Sequence, residues 1–195
     1  MIKSYRFNAA VLDPSRREAL AYLRVKAPDD AVGTLLTSAI SEAKSVADCR
    51  GRAGIFEISF ANAIHPSLAK GPLCGCDHFL LFCATIGHEI DRRIARYAYS
   101  APARAAVLDA AAGALTEALC DTLTATVLRE YPVGKPGRRF SPGYGDLPLS
   151  VQQQIFEILE LSRIGVGLNS SLLLSPAKTV TAIVGLTCKA ETTPL

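Results

Sequence analysis

The 195-residue sequence has little net charge and no long apolar run. Its 21 Lys and Arg residues and 18 Asp and Glu residues leave a formal net charge of +3, and the basic pairs are scattered along the chain. Nucleic-acid binding requires a clustered basic face to neutralise phosphates, so no nucleic-acid partner is expected. The longest uncharged stretch, residues 164–177, is too short to span a bilayer, so no membrane association is expected either.

An export signal is also missing, because residues 1–7 contain no apolar signal core. We therefore expect a cytoplasmic protein whose six cysteines are reduced thiols. The composition, 49% apolar and 20% charged, is that of an ordinary folded domain. We predict one domain over residues 1–195, with a core region over 76–188 and an N-terminal region, 1–75, whose organisation is less defined.

The motifs of common hydrolase and nucleotide chemistry are absent as well. The sequence contains no Gly-x-Ser-x-Gly elbow, no phosphate-binding Gly-Lys-Ser/Thr loop and no dinucleotide fingerprint. Ser175 and Lys178 have the spacing of a Ser-x-x-Lys nucleophile, but the companion triplets of that mechanism are missing. His88 and Glu89 resemble the start of a zinc-protease motif, yet Arg92 stands where the second histidine would be.

A short cysteine and histidine cluster is one candidate metal site. Cys74, Cys76 and His78 carry soft ligands of the type that zinc prefers, which makes a metal-binding protein one hypothesis. A closed structural site needs a second pair of ligands, and no matching pair follows downstream. We therefore expect core packing rather than metal binding at these positions.

Hydrophobic spacing predicts both strands and helices. Strands are predicted where apolar residues alternate, and helices where they recur at helical spacing. The two helices predicted over 77–99 and 103–130 are expected to be central to the fold. The predicted strands are 5–11, 55–60, 167–174 and 179–188, and the predicted helices begin at 13 or cover 28–47, 77–99, 103–130 and 150–162.

A loop over residues 132–148 contains four prolines and four glycines and carries the strongest chemical argument. A loop of this length in a compact domain is usually functional or disordered. The guanidinium of Arg139 could match the two oxygens of a ligand carboxylate. Glu117, at the edge of the apolar face of helix 103–130, could accept a ligand ammonium. The residues thus suggest a pocket for a zwitterionic amino-acid group, but they also fit solvated surface charges.

The same loop carries a resemblance to a known family. Arg139-x-Ser141-Pro142-Gly143-Tyr144 resembles the Arg-x-x-x-Gly-Tyr motif of the reactivation domain of cobalamin-dependent methionine synthase. Residues 115–119 are similar to the acid-bearing helix that precedes the motif in that family. Residues 171–185 are similar to the segment that leads into its later strand. The likeness extends from about Phe79 to Leu186 and is greater to free-standing short forms of the domain.

The resemblance implies an α+β fold, with a twisted antiparallel sheet packed with helices. It also implies an accessory part of a methyltransferase in methionine biosynthesis, which binds S-adenosylmethionine and caps a corrinoid-carrying domain. In the family, an electron donor such as a flavodoxin reduces the oxidised cobalt, and S-adenosylmethionine then methylates it. A sulfonium is already an activated methyl donor, so the domain needs only to position it.

Site residues follow from the same resemblance. Arg139 would contact the ligand's carboxylate and Glu117 its amino-acid end, while the backbone at Ser141 would touch the adenosyl group. Tyr144 would line the site near the corrin, and Gly143 belongs to the same ligand-binding motif. No residue is assigned a role as a catalytic acid or base.

The expected partner is a methionine synthase or a related corrinoid protein. This chain lacks the Asp-x-His-x-x-Gly hallmark of corrinoid-binding domains, so cobalamin must be carried by that partner. Two alternatives belong to other classes. One is a docking or scaffold partner of a corrinoid protein with a degenerate ligand site, and the other is the metal-binding protein considered above.

Overall fold

Five antiparallel strands form the central sheet of the molecule. The computed structural model describes residues 1–187, so the predicted end of the last strand at Cys188 lies outside the described residues. Every pair of neighbouring strands is antiparallel. The predicted α+β class, with an antiparallel sheet packed with helices, is confirmed. In spatial order the strands are β1 (Ile2–Phe7), β2 (Cys49–Glu57), β3 (His78–Thr85), β7 (Thr179–Thr187) and β4 (Lys135–Phe140).

Helices cover both faces of this sheet and enclose two apolar cores. The first face, here called the α6 face, packs against α1 (Arg16–Tyr22), α2 (Asp30–Val46), α5 (Glu89–Ser100) and α6 (Pro102–Glu130). The second, here called the α7 face, packs against α3 (Ala61–Ile64), α4 (Pro66–Lys70) and α7 (Val151–Ile158). Because side chains alternate along a strand, each central strand contributes residues to both cores.

The predicted helix over 77–99 is wrong in its first half. Residues 78–85 form β3, at the centre of the sheet, and the helix that follows, α5, begins only at Glu89. Leu80 and Phe82 of β3 face the α6 core, whereas Phe79 and Leu81 face the α7 core. A strand buried on both sides needs apolar residues at every position, so its alternation disappears and its pattern imitates a buried helix.

The Ala-rich helix predicted over 103–130 is confirmed as α6, which spans Pro102–Glu130. Small side chains allow this helix to lie close to the sheet and to its neighbouring helices. The closest approach is at Gly51 of β2, where an added Cβ would lie 2.7 Å from a methyl carbon of Leu123. The close packing of α6 on the sheet depends on the missing side chain at Gly51.

The residues at 132–148 are not all loop, because Lys135–Phe140 forms the edge strand β4. The prediction missed this strand because Pro136 and Gly137 lie within it. Proline is tolerated in an edge strand, and the pairing of β4 with β7 is irregular between Pro136 and Arg139. The paired residues end with Phe140 opposite Ile183, so in the described part of the chain no strand pairs with residues 179–182 on this side of β7.

The C-terminal strands also differ from the prediction. The segment predicted as a single strand over 167–174 folds back on itself as a two-stranded hairpin. Its strands are β5 (Gly167–Leu168) and β6 (Leu174–Ser175). Asn169 stabilises the turn, because its side-chain oxygen accepts hydrogen bonds at 2.9 Å from the backbone N–H groups of Ser171 and Leu173. The hairpin places three leucines, at 172–174, beside the end of β4.

Candidate functional site

A cavity of about 1080 Å³ opens where β4 stops pairing with β7. Its walls come from both faces of the sheet, because the uncovered edge of β7 separates Glu117 of α6 from Gln152 of α7. A volume of this size accommodates a nucleoside-sized ligand with room to spare. Its apolar lining includes Phe140, Leu147, Leu149, Leu172, Leu173, Leu174 and Val180.

The guanidinium of Arg139 pairs with two carboxylates of α6 at one end of this cavity. Its Nη1 donates to Oδ1 of Asp121 at 2.9 Å, and its Nη2 donates to Oε2 of Glu117. The side chains of Arg139 and Glu117 are 26% and 23% exposed, whereas that of Asp121 is 78% exposed. Glu117 and Asp121 are one helical turn apart, so they face β4 together. Glu117 and Arg139 line the cavity, and Asp121 completes the cluster from outside.

Carboxylates outnumber cations in this cluster. Burial alone would lower the pKa of Arg139. The neighbouring Cys120, Glu117 and Asp121 outweigh that effect, so the pKa is raised and the guanidinium stays charged. Burial raises the pKa of the Glu18 carboxyl, and the negative charges of Glu117 and Asp121 raise it further. Two carboxylates paired with one guanidinium, and a third close enough to interact with its charge, favour a ligand that brings positive charge.

The loop that follows β4 is held by its own backbone. The N–H of Gly143 donates to the carbonyl of Leu147 at 2.8 Å, and the N–H of Tyr144 donates to the carbonyl of Ser141 at 3.3 Å. Gly143 has a φ of +86°, in the left-handed region that favours glycine. Leu147 is buried in the α7 core and anchors the loop, while Tyr144 is 74% exposed.

A second polar pair lies on the α7 side of the cavity. The hydroxyl of Thr181 on β7 donates to Oε1 of Gln152 on α7 at 2.9 Å. Both residues line the cavity, and they are only 4% (Gln152) and 3% (Thr181) exposed. The amide nitrogen of Gln152 is buried and has no hydrogen-bond partner among residues 1–187.

Four of the five residues that the sequence analysis assigned to a ligand site line this one cavity. They are Glu117, Arg139, Ser141 and Tyr144, and their contact with a ligand stays a prediction. Gly143 is not among the lining residues and instead shapes the loop between them.

Three polar residues at or beside the cavity were not identified from the sequence. Asp121 could have been found, because it follows Glu117 by four residues on the same helix face. Gln152 and Thr181 had no such signal, because their meeting depends on how α7 packs against the end of β7.

The cysteine and histidine cluster does not converge. Among residues 1–187 no group of three or more His, Cys, Asp or Glu side chains is arranged to hold a metal ion. Cys74 is exposed, while Cys76 packs near Gly185. Burial raises the pKa of Cys76, and the neighbouring Asp77 and Cys74 raise it further, which disfavours the thiolate that a metal needs. None of the helices in the described residues has the length and apolarity to cross a membrane.

Comparisons with known proteins relate this chain to solved structures through its fold. No family model matches the chain, and no curated protein matches it. The chain is similar to the crystal structure of the MetH reactivation domain bound to AdoHcy, with a TM-score of 0.69 and 16% sequence identity. The alignment covers 98% of this chain and 80% of that chain. At this identity the likeness shows a shared fold, the one that the resemblance implied.

Proposed function

We propose that this protein is an S-adenosylmethionine-binding reactivation module for a corrinoid methyltransferase of the methionine synthase type. The observation that carries the proposal is the Arg139–Glu117 pair at the end of a nucleoside-sized cavity. The family resemblance implies a ligand role for the same two residues, Arg139 from the motif and Glu117 from the acid-bearing helix that precedes it. The shared fold supports the proposal further, because the solved MetH reactivation domain was bound to AdoHcy.

The charged cluster can hold the amino-acid end of the ligand by exchanging one partner. The pair between Arg139 and Asp121 is weak, because Asp121 is 78% exposed and solvent screens its charge. A ligand carboxylate can displace Asp121 and take two N–H donors of the guanidinium. Glu117 remains beside Arg139 and accepts the ligand's ammonium. The excess of carboxylates also favours S-adenosylmethionine, whose sulfonium adds a positive charge.

The chemistry that S-adenosylmethionine supplies is a methyl group already activated by its sulfonium, for transfer to cobalamin carried by the partner. The residues of this chain bind and orient the ligand, and no general base is required. Tyr144 and Leu173, which are 74% and 57% exposed, lie on the rim of the cavity. In this proposal the rim faces the corrinoid protein, and a flavodoxin-like donor supplies the electron that reactivation needs.

Calorimetry with S-adenosylhomocysteine tests ligand binding, since this demethylated product has no methyl group to transfer. We expect one site per chain. A second experiment mixes the protein with the corrinoid domain of methionine synthase, methyl-labelled S-adenosylmethionine and a low-potential chemical reductant. Label should reach the corrinoid only when this protein is present. Absence of binding heat, both alone and with the corrinoid domain, would refute the proposal.

A docking protein with a degenerate ligand site is the second candidate. It is favoured by one observation, namely that Arg139 already has two carboxylate partners without a ligand. In that case the protein would comigrate with the corrinoid domain in size-exclusion chromatography but would give no heat with S-adenosylhomocysteine. The two measurements together separate the candidates.

A further inference from the structure

We infer that the carboxamide of Gln152, which Thr181 orients, forms hydrogen bonds with the nucleobase edge of the ligand. In this arrangement the base lies at the end of the cavity away from Arg139. This inference rests on the proposed function and adds a residue that the methionine synthase motif does not contain. Its starting point is the side chain of Gln152, which lines the cavity and whose amide nitrogen is buried without a hydrogen-bond partner among the described residues. Buried polar groups in folded proteins nearly always have a hydrogen-bond partner, so an exception needs an explanation.

One polar atom of the Gln152 carboxamide stays without a partner in either orientation of the amide. With Oε1 accepting from Thr181, both N–H donors of Nε2 lack a partner among the described residues. With the amide reversed, Nε2 would donate to Thr181 and the oxygen would be left without a donor. Either way the Gln152 side chain keeps hydrogen-bonding capacity that residues 1–187 do not satisfy.

The position of Gln152 suits a ligand with two polar ends. Arg139 is opposite Val184 on β7, and Thr181 is three residues further along the same strand. At about 3.4 Å per residue, that step moves roughly 10 Å along the cavity. Phe140 and the leucines supply apolar lining in the same cavity. An amino acid joined to a nucleoside likewise has a charged end and a polar base.

A carboxamide matches the edge of adenine better than other bases. Adenine presents an amino donor beside a ring-nitrogen acceptor, and a glutamine amide presents the complementary acceptor and donor. In the orientation in which Thr181 donates to Oε1 of Gln152, the second lone pair of that oxygen stays available for the adenine amino group. In this proposal a rotation of the carboxamide brings the buried Nε2 donor to the ring nitrogen. Hypoxanthine, which carries an oxo group in place of the amino group, would bring two oxygens together.

The test compares two ligands on three proteins by calorimetry. S-Adenosylhomocysteine and S-inosylhomocysteine, which carries hypoxanthine, are titrated into the unchanged protein, Gln152→Leu and Gln153→Leu. Gln153 is the matched control, because it is the next residue on α7, is exposed, and bonds only to Glu157 in its own helix. Leucine has a volume close to that of glutamine, and melting temperatures check that the variants fold.

We expect the unchanged protein and Gln153→Leu to prefer the adenine ligand by about tenfold or more, the effect of one or two hydrogen bonds. Gln152→Leu should lose this preference with only a small change in melting temperature, because removal of the unsatisfied amide offsets the loss of the acceptor for the Thr181 hydroxyl. Thr181→Val, a second variant of similar shape, should reduce the preference for the adenine ligand, because the Gln152 carboxamide can then adopt either orientation. A residue with a purely structural role would change stability and leave the ratio of the two affinities unaltered.

Two results would overturn the inference in different ways. If the unchanged protein binds S-adenosylhomocysteine but Gln152→Leu keeps the same ratio within twofold, Gln152 does not read the base and the proposed function stands. If the unchanged protein binds neither ligand, the proposed function fails and the inference fails with it.

Discussion

Two clusters of arginine and carboxylate side chains contact α6, and they differ in how their charged groups are partnered. The first is centred on Glu42 of α2, which accepts hydrogen bonds from Arg93 at 3.1 Å, Tyr97 at 2.9 Å and Arg104 at 2.8 Å. Its partners come from α5 and α6, and the Glu42 side chain is only 10% exposed. One carboxylate thus ties three helices together, and three donors satisfy its two oxygens.

The second cluster, at Arg139, contains the same residue types in the opposite ratio. One guanidinium is shared by two carboxylates, one of which is mostly exposed, and the group opens into a cavity. Both clusters border a cavity, one of about 730 Å³ at Glu42 and one of about 1080 Å³ at Arg139. Glu42 already accepts three hydrogen bonds, whereas Arg139 can exchange its exposed partner Asp121. Residue type therefore does not distinguish a structural ion pair from a binding site. The partners do, because a carboxylate held by three donors is satisfied, whereas a guanidinium paired with an exposed carboxylate can take a ligand in its place.

The largest expected effect is on ligand affinity, and it comes from removing the arginine of the second cluster rather than an arginine of the first. Arg139→Ala should weaken S-adenosylhomocysteine binding about a hundredfold, because it removes two charge-assisted hydrogen bonds. The melting temperature should change by only a few degrees, about the effect of a partly exposed ion pair. Arg93→Ala is the matched control. It should lower the melting temperature and leave the dissociation constant within twofold. Equal affinity losses in both variants would remove the distinction between the clusters.

The cluster centred on Glu42 can be tested by measuring how the stability lost in Glu42→Gln changes with pH. Burial raises the pKa of Glu42, but hydrogen bonds from Arg104, Tyr97 and Arg93 outweigh it, and the pKa lies below its ordinary value of 4.5. The ionised carboxylate therefore stabilises the fold fully above pH 4.5, and this contribution is lost as the pH falls through the lowered pKa. At pH 7 we expect the variant to lose about 1–2 kcal/mol, since Arg104 is partly solvated.

The measurement is urea unfolding of both proteins between about pH 3 and pH 7. The gap in unfolding free energy should be constant at neutral pH and should close in acid. A gap that stays the same down to pH 3 would mean that Glu42 is not held as a carboxylate by its three partners.

Asp121→Asn should have the smallest effect, and in the opposite direction. Asp121 competes with the ligand carboxylate for Arg139, and the neutral amide competes less strongly. Binding of S-adenosylhomocysteine should therefore tighten by about twofold to fivefold, the scale of an exposed ion pair. Raising the salt concentration should reduce the difference between the two proteins. Weaker binding in the variant would show that Asp121 helps to hold the ligand and does not need to be displaced.

How much of the fold could be predicted depended on how many sides of an element are buried. α6 was predicted almost to the residue, since a long Ala-rich run with leucines at helical spacing has few other readings. β3 was assigned to a helix because burial on both faces removes the alternation that marks a strand. β4 was hidden by Pro136 and Gly137, residues that an edge strand accepts and that sequence patterns read as loop.

For the candidate site, the sequence predicted which residue types could bind a ligand, but it did not predict which of those residues contact each other. Arg139 and Glu117 were proposed because a guanidinium and a carboxylate suit the two charges of an amino acid. Their direct pairing, and the presence of Asp121 beside them, depend on β4 lying against α6. Gln152 had no signal at all, since a glutamine near the start of a helix is ordinary until its surroundings are known.

By itself the sequence determined the residue types, the long helix α6 and the motif around Arg139, because these depend on neighbours along the chain. The tertiary structure alone decided that β4 ends at Phe140 and leaves the edge of β7 open. That opening joins the two faces of the sheet in one cavity, so that Glu117 of α6 and Gln152 of α7 line the same space. The physical reason is that burial and hydrogen-bond satisfaction depend on contacts between distant segments, which no local pattern records.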